Sequence, residues 1–161
     1  MMIRPATKAD IDSLVSLLKL LFRIEADFQF DADKQRRGLA MLLESGKAII
    51  MVAENQSRVA GMVTGQLVVS TAEGGYSLLI EDLVVAPEHQ GNGYGPMLLE
   101  AIAVWAQSSG ASRMQLLADT ANARALHFYS ARNWRKTQLI CLRKYAGQAA
   151  LRDIYETGTN R

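Results

Sequence analysis

The segment from Leu78 to Leu99 places an apolar run, a glycine-rich turn and a helical pattern directly in series. Residues 78–85 read LLIEDLVV, which is long enough for a buried strand and too short for a buried helix. The turn QGNGYG follows, and Pro96 suits the first turn of a helix over 96–109. Free N–H groups and the helix dipole meet where such a turn enters a helix, so the segment predicts a site for a phosphate-bearing ligand.

Two common phosphate-binding motifs do not fit this turn. A dinucleotide fingerprint of the form G-x-G-x-x-G would need glycine where Pro96 stands, and a P-loop would end in Gly-Lys-Ser or Gly-Lys-Thr. The pattern that remains is Q-x-x-G-x-G after a strand. Taken alone, it leaves a plain glycine connection between a strand and a helix open.

A second element follows a short apolar strand predicted at Met114–Ala118. It reads NARALHFY from Asn122 to Tyr129, and Asn133-Trp134 comes after it. Together the two elements resemble the GNAT superfamily of acetyl-CoA-dependent N-acetyltransferases, whose second motif is N-x-x-A-x-x-F-Y-x-x-x-G-F. Asn133 and Trp134 replace the final Gly-Phe. Because asparagine tolerates the left-handed conformation that ends a helix, the replacement fits the motif.

The resemblance covers roughly residues 3–145 and implies a fold. It implies one mixed α/β domain over 1–145, with a central sheet of six or seven strands and about four helices. The residues 146–161 form a tail whose pattern fits either a short helix or a frayed end. Whether the tail packs on its own domain, pairs with a second subunit in a homodimer or stays mobile is left open.

The resemblance also implies acetyl-CoA as the cosubstrate, with its pyrophosphate on the glycine turn. In the family, the asparagine of the second motif bonds the pantetheine arm, and a backbone N–H at the end of the preceding strand polarises the thioester carbonyl. The coenzyme-binding residues expected on this basis are Val84, Val85, Gln90, Gly91, Asn92, Gly93, Tyr94, Gly95 and Asn122. No metal is expected.

Acetyl transfer to an amine needs a base, and Glu81 and Asp82 are the candidates, Glu81 first. Two carboxylates inside an apolar strand are costly unless they have partners or a role. Strand alternation predicts that they point to opposite faces. The pair resembles the diamine and polyamine branch of the family, where this glutamate is assigned as the base, often acting through water. The structural alternative is a pair satisfied by arginines.

The departing thiolate needs an acid, for which Tyr129 is the candidate. The family places this hydroxyl near the coenzyme sulfur, and a phenol with a pKa of about 10 can protonate a thiolate. The alternative is an aromatic side chain that only packs the helix on the sheet. Arg124 and Arg132 are candidates for the 3′-phosphate of the coenzyme, or are solvated helix charges.

The acceptor is predicted from residues 23–33, a bend between the first two helices that combines phenylalanines with carboxylates. Such a surface suits a small cationic amine. Glu25, Asp27 and Phe28 are the expected acceptor-binding residues. Helix capping by Asp31 or Asp33 and ordinary surface charge are the alternative explanation of this bend. The alternatives for the whole chain are acetylation of protein lysine or an N-terminus, and a CoA-binding module without turnover.

Other patterns predict the rest of the fold. Thr7 with Asp10 predicts a capped helix whose buried stripe begins at Ile11, and a second helix is expected around 34–44. The remaining strands are expected at Met2–Arg4, Ala48–Ala53, Val59–Val69 and Arg135–Tyr145, with a hairpin turn at residues 55–57.

Composition excludes several classes of protein. A formal charge of +2 without a basic, aromatic stripe argues against nucleic acid, and no apolar run is long enough for a membrane span. The N-terminus does not read as a signal peptide. A single cysteine, Cys141, favours a reducing, cytoplasmic setting and is expected to be a small core or sheet residue. His89 and His127 lack a third ligand at metal-binding spacing.

Overall fold

A computed structural model describes residues 1–24 and 27–145 of the 161-residue chain. The described residues form five strands and four α-helices. The strands are β1 (Met2–Pro5), β2 (Ala48–Asn55), β3 (Arg58–Ser70), β4 (Gly75–Val85) and β5 (Ala111–Leu116). The helices are α1 (Ile11–Leu21), α2 (Ala32–Glu44), α3 (Tyr94–Ser108) and α4 (Ala123–Ser130). The chain divides into two compact units, Met1–Asp119 and a second that begins at Thr120.

The five strands form one sheet in the order β1-β2-β3-β4-β5. Neighbours are antiparallel except β4 and β5, which are parallel and joined through α3. A parallel pair needs such a crossover, because its strands run in the same direction. The sheet therefore confirms the mixed α/β class and the prediction that residues 78–85 lie in an inner strand.

The strand count predicted from the sequence is wrong for the described residues, where five strands replace the expected six or seven. The segment Arg135–Tyr145 is not a strand, and Leu139, Ile140 and Leu142 are 85%, 81% and 85% exposed. Cys141 is also exposed, against the expectation of a core or sheet position. Alternation is a local pattern, whereas a strand forms only where a neighbouring strand supplies its hydrogen-bond partners. Residues 146–161 lie outside the described residues.

The two faces of the sheet are covered by different helices. On one face, α1 and α2 bury an apolar core with residues of β2, β3 and β4 that include Met62 and Val84. On the other face, α3 approaches β3 closely at two glycines. A Cβ on Gly61 would lie 3.3 Å from Cδ1 of Leu98, and one on Gly65 would lie 2.6 Å from Cδ1 of Ile102, both side chains of α3. These glycines hold α3, and so its N-terminal loop, against the sheet.

Tight turns connect the elements as the sequence predicts. The β2–β3 hairpin turns at Gln56 and Ser57, whose φ angles of 48° and 61° match a two-residue turn of type I′. Near the start of the chain, the backbone N–H of Thr7 donates to the Asp10 carboxylate at 2.7 Å. Asp10 is the residue directly before α1. No helix among the described residues has the length and apolar character needed to cross a membrane.

An ion network joins β1, the first turn and β2. Arg4 bonds Asp10 at 2.8 and 2.9 Å and Glu54 at 2.8 Å. Mainly through the bond from Arg4, the pKa of Asp10 falls to about 2. The same bond, with a second that Arg4 donates to Glu54, raises the pKa of Arg4 further above its ordinary range. The network therefore favours the charged form of a carboxylate that is almost fully buried.

Asp10→Asn is expected to lower the free energy of unfolding by about 2 kcal/mol at neutral pH, because a depressed folded-state pKa stabilises the fold above the unfolded-state value. In the native chain this stabilisation is lost as pH falls from about 4 to about 2. Urea unfolding between pH 6 and pH 2 should show this slope in the native chain and a flatter profile in the variant. Asp12→Asn, at an exposed surface pair with Arg36, is the control. An equal loss in the control would show that general charge causes the effect.

Candidate active site

A β-bulge interrupts β4 at the two carboxylates. Val63 of β3 pairs with Leu83, and Gly65 pairs with Ile80, so Thr64 alone stands opposite both Glu81 and Asp82. Two residues against one is the geometry of a bulge, which shifts the alternation of the strand. Bulges of this kind re-aim side chains next to active sites.

The bulge turns both carboxylates to the same face of the sheet. Before the bulge, Ile80 pairs with Gly65 and faces α3, so Glu81 next to it faces α1 and α2. After the bulge, Val84 lies in the core under α1 and α2, so Asp82, two residues before it, faces the same way. The prediction that the two carboxylates point to opposite faces is therefore wrong, because it assumed a regular strand.

The hydrogen bonds of the carboxylates agree with a common face. The Thr64 hydroxyl donates to Oδ2 of Asp82 at 2.9 Å, and Nε2 of Gln66 donates to Oε2 of Glu81 at 3.3 Å. Thr64 and Gln66 share one face of β3. Glu81 is exposed and Asp82 is half-buried, so water reaches the first carboxylate more freely than the second.

Beyond the bulge, one edge of β4 has no described strand beside it. The parallel pairing with β5 ends at Ile80 and Leu116. On the β3 side, the N–H of Ala86 donates to the Ala60 carbonyl at 2.8 Å. Because N–H directions alternate along an antiparallel strand, the N–H of Val84 also points to β3, and that of Val85 points to the opposite edge. Of the two predicted backbone donors, Val85 is the one directed to this edge.

The glycine loop, residues 90–95, follows a short 3₁₀ turn and leads into α3. Gly91 and Gly93 have φ angles of +80° and +82°, and a Cβ on either would meet no atom within 4 Å. Glycine is thus required here by the backbone conformation and not by space. Gln90 bonds back to β4, since its Nε2 donates to the Val85 carbonyl at 2.9 Å. Tyr94 is only 5% exposed, so its side chain faces inward and its contribution to the loop is its backbone.

The N-terminus of α3 presents backbone N–H groups without a side-chain cap. Met97 donates its N–H to the Gly93 carbonyl at 3.3 Å, and Pro96 has none. The N–H groups of Tyr94 and Gly95 remain at the positive end of the helix dipole, next to the exposed Asn92. This donor set suits the pyrophosphate of a coenzyme.

In the second unit, Asn122 caps α4. Its Oδ1 accepts the N–H of Ala125 at 3.0 Å. This bond uses the oxygen of the amide and fixes the direction of its NH₂ group, which is a hydrogen-bond donor. A donor is the group that a pantetheine carbonyl would require.

Tyr129 lies where α4 ends. Its ring centroid is 5.2 Å from that of Phe128 and 5.8 Å from that of Trp134. Trp134 donates its N–H to the Tyr129 carbonyl, Asn133 donates to that of Ser130, and Asn133 has a φ of 63°. These bonds form a Schellman motif, which confirms the left-handed asparagine expected there. The motif therefore fixes the tyrosine ring against its neighbours.

The two arginines expected near the coenzyme differ in their surroundings. Arg132 donates to the Phe128 carbonyl at 2.7 Å, and its guanidinium lies 3.9 Å from the centre of the Phe128 ring. These contacts give Arg132 a role in closing the helix. Arg124 is exposed on α4.

The bend between α1 and α2 exposes an aromatic and an acidic side chain, as expected for part of it. Phe28 is 39% exposed and stacks on Phe22, with ring centroids 5.4 Å apart, and Asp27 is exposed. Asp31 caps α2 by accepting N–H groups of Asp33 and Lys34, which is the capping alternative considered above. Its bond with the Lys34 N–H lowers the pKa of Asp31. Glu25 lies outside the described residues.

Sequence reasoning missed the two partners of the carboxylates, Thr64 and Gln66. Both interrupt the apolar run of β3, and Thr64 lies directly before Gly65 in that run. Counting back along the hairpin from its turn would have placed Thr64 opposite Glu81 and Gln66 opposite Leu79, on the same face as Thr64. Elsewhere, no three His, Cys, Asp or Glu side chains of the described residues lie together as a metal site.

Comparison with known proteins adds a family and a fold. Residues 12–134 match the model of the acetyltransferase (GNAT) family. Over 69 residues the chain is 38% identical to the streptothricin acetyltransferase of Streptomyces lavendulae. The aligned segment is 43% of this chain and 36% of that protein. The chain thus spans little more than a third of the length of this curated relative.

Solved acetyltransferase structures share the fold. The aminoglycoside N-acetyltransferase AAC(6')-Iy in complex with CoA has a TM-score of 0.79 at 15% identity, over 91% of this chain and 95% of that one. The aminoglycoside acetyltransferase meta-AAC0020 from an uncultured soil metagenomic sample, in complex with sisomicin, has a TM-score of 0.73 at 19% identity. That match covers 91% of this chain and 96% of the other.

Proposed function

Because the chain belongs to the GNAT acetyltransferase family, we propose that it transfers an acetyl group from acetyl-CoA to a primary amine of a small cationic molecule. The observation that carries this proposal is the arrangement of residues 81–95. The bulged carboxylates, the N–H of Val85 at an uncovered strand edge and the glycine loop follow one another in a single segment of the first unit. One segment of the chain thus carries, in order, the proposed base, the proposed donor to the thioester carbonyl and the proposed phosphate site.

Coenzyme binding is assigned to backbone groups of the glycine loop. The N–H groups at the start of α3 would hold the pyrophosphate, and the Asn122 amide would donate to the pantetheine arm. When bound, acetyl-CoA supplies the activated acetyl group. The positive φ angles of Gly91 and Gly93 support this assignment, because they orient the loop backbone in a way that other residues rarely adopt.

The chemistry is then divided among three groups of the chain. Glu81, acting through water because it is exposed, removes a proton from the acceptor ammonium. The N–H of Val85 bonds the thioester oxygen as the amine forms its bond to the carbonyl carbon. As the carbon–sulfur bond breaks, the Tyr129 hydroxyl gives a proton to the departing sulfur, and the second proton that the nitrogen loses on becoming an amide returns through solvent to restore the phenol. Asp82 is the second candidate for the base.

The cationic acceptor is supported by charge on one side of the sheet. Glu81 and Asp82 face the side that α1 and α2 cover, and the bend that joins these helices carries Asp27 and Phe28. We include Glu25 in this acceptor site on the sequence alone. Relatives named as aminoglycoside and streptothricin acetyltransferases support an acceptor with amino groups. The resemblance of the Glu81–Asp82 pair to the diamine and polyamine branch supports the same acceptor class.

A thiol-release assay with an amine panel tests this function. The panel contains diamines, polyamines, basic amino acids, aminoglycosides and lysine peptides, each at low and high ionic strength. We expect a small polycationic amine to be acetylated best, and its KM to rise with salt, because exposed charges are screened over roughly 8–10 Å. A neutral acceptor that wins tenfold without salt dependence would contradict the acceptor class.

Calorimetric titration with CoA separates the remaining alternatives. Binding without turnover of any amine would indicate a CoA-binding module instead of an enzyme. No CoA binding would contradict both. Turnover of lysine peptides above all small amines would assign the chain to protein acetylation.

A further inference from the structure

The bulge in β4 brings a side chain of β3 to a backbone group of β4. In a regular antiparallel pair, the backbone N–H groups that point to the neighbouring strand bond its carbonyls. At the bulge, the N–H of Asp82 donates to the hydroxyl oxygen of Thr64 at 3.0 Å. A side-chain hydroxyl thus bonds the backbone at the extra residue.

The same hydroxyl also bonds the carboxylate of Asp82. Oγ1 of Thr64 donates to Oδ2 of Asp82 at 2.9 Å, so it accepts from the backbone and donates to the side chain of one residue. Thr64 is 0% exposed, so its hydroxyl does not face bulk solvent. A hydroxyl has one proton and accepts as well, which allows it to make both bonds.

We propose that Thr64 is a positioning residue for the catalytic carboxylates, an inference that rests on the proposed function. By holding the extra residue of the bulge, its hydroxyl keeps Glu81 and Asp82 on the same face of the sheet. Without it, the strand lacks the bond that favours the bulge over regular alternation. Thr64 touches no reacting atom in this proposal and acts through the two carboxylates alone.

Thr64→Val and Thr64→Ser test the role of the hydroxyl. Valine keeps the shape of threonine and removes the oxygen, whereas serine keeps the oxygen and removes the methyl group. We expect Thr64→Val to lower kcat by roughly 10- to 100-fold, the size of effect that small misplacement of a catalytic group produces. Thr64→Ser should restore kcat to within about threefold of the native value. The KM for acetyl-CoA should stay unchanged in both, because the glycine loop is not altered.

A purely structural role would give a different result. Ser77→Ala, at another buried hydroxyl of β4 away from the bulge, is the matched control and should leave kcat unchanged. Adding Thr64→Val to the double variant Glu81→Gln/Asp82→Asn should not slow it further, because Thr64 acts through the two carboxylates alone. Independent, multiplying losses would overturn the proposal, as would a Thr64→Val enzyme with native kcat.

Amide hydrogen exchange tests the bond between the Thr64 hydroxyl and the N–H of Asp82 without any turnover. In Thr64→Val, the N–H of Asp82 should exchange at least about tenfold faster than in the native chain, while the N–H of Val84 keeps its protection. Unchanged protection at Asp82 would overturn the proposal even in an active enzyme. Failure of the proposed function is recognised separately, since it would show as absent turnover in the native chain.

Discussion

Glu81→Gln is expected to lower kcat/KM for the best amine by roughly 10²–10³-fold, the usual contribution of a general base. Glutamine keeps the length of the side chain and a hydrogen-bonding group for Gln66, so the fold should not change. What it loses is the negative charge that accepts a proton from the acceptor ammonium. Steady-state kinetics measures the loss, and calorimetry should show nearly unchanged affinity for CoA.

Two further variants make the result specific. Glu88→Gln changes an equally exposed carboxylate of the turn after β4 and should leave kcat/KM within about twofold. Asp82→Asn tests the second candidate base. If Glu81→Gln keeps most of its rate and the acidic limb of its pH profile, the base is elsewhere, and Asp82 or an ordered water is next.

Tyr129→Phe is expected to lower kcat by roughly 10²-fold, with a smaller effect on the KM for either substrate. The phenylalanine ring keeps the packing against Phe128 and Trp134, so only the hydroxyl is removed. The removed hydroxyl is the proposed proton donor to the departing thiolate. Single-turnover measurements of acetyl transfer should show the loss in the chemical step.

The control for this variant is Tyr76→Phe, a half-buried tyrosine of β4 whose ring lies under the Lys47 ammonium. It should leave kcat unchanged. Should Tyr129→Phe also keep native kcat, solvent supplies the proton and Tyr129 serves only to pack α4. A loss of thermal stability in parallel with kcat would point to the same packing role.

Local signals in the sequence predicted much of this arrangement. The helix expected at 96–109 is α3 at Tyr94–Ser108, and the strand expected at 78–85 is the greater part of β4. Glycine spacing, proline position and apolar periodicity are all set by neighbours along the chain, so they can be read without the fold. The left-handed Asn133 is another such case, because it depends on a helix end nearby.

Features that depend on strand pairing could not be predicted in the same way. The bulge sets Thr64 opposite both Glu81 and Asp82, and this register is a property of two strands. The segment Arg135–Tyr145 has the alternation of a strand but not the pairing, for the same reason. Pairing also decides which backbone N–H reaches the open edge of β4, which alternation within one strand does not specify.

The bulge gives β4 two frames of alternation within one continuous strand. Leu78 and Ile80 face α3, whereas Val84 and Ala86 face the opposite core, although all four positions are even-numbered. Deletion of Glu81 or Asp82 would therefore remove the extra residue and leave one regular alternation, in which Ile80 and Leu83 still pair with Gly65 and Val63. Both apolar pairs would keep their faces, and the strand would lose only one of its two carboxylates. A deletion elsewhere in β4 would instead turn every side chain beyond it to the other face, so a single residue can be removed without loss of the core at the bulge.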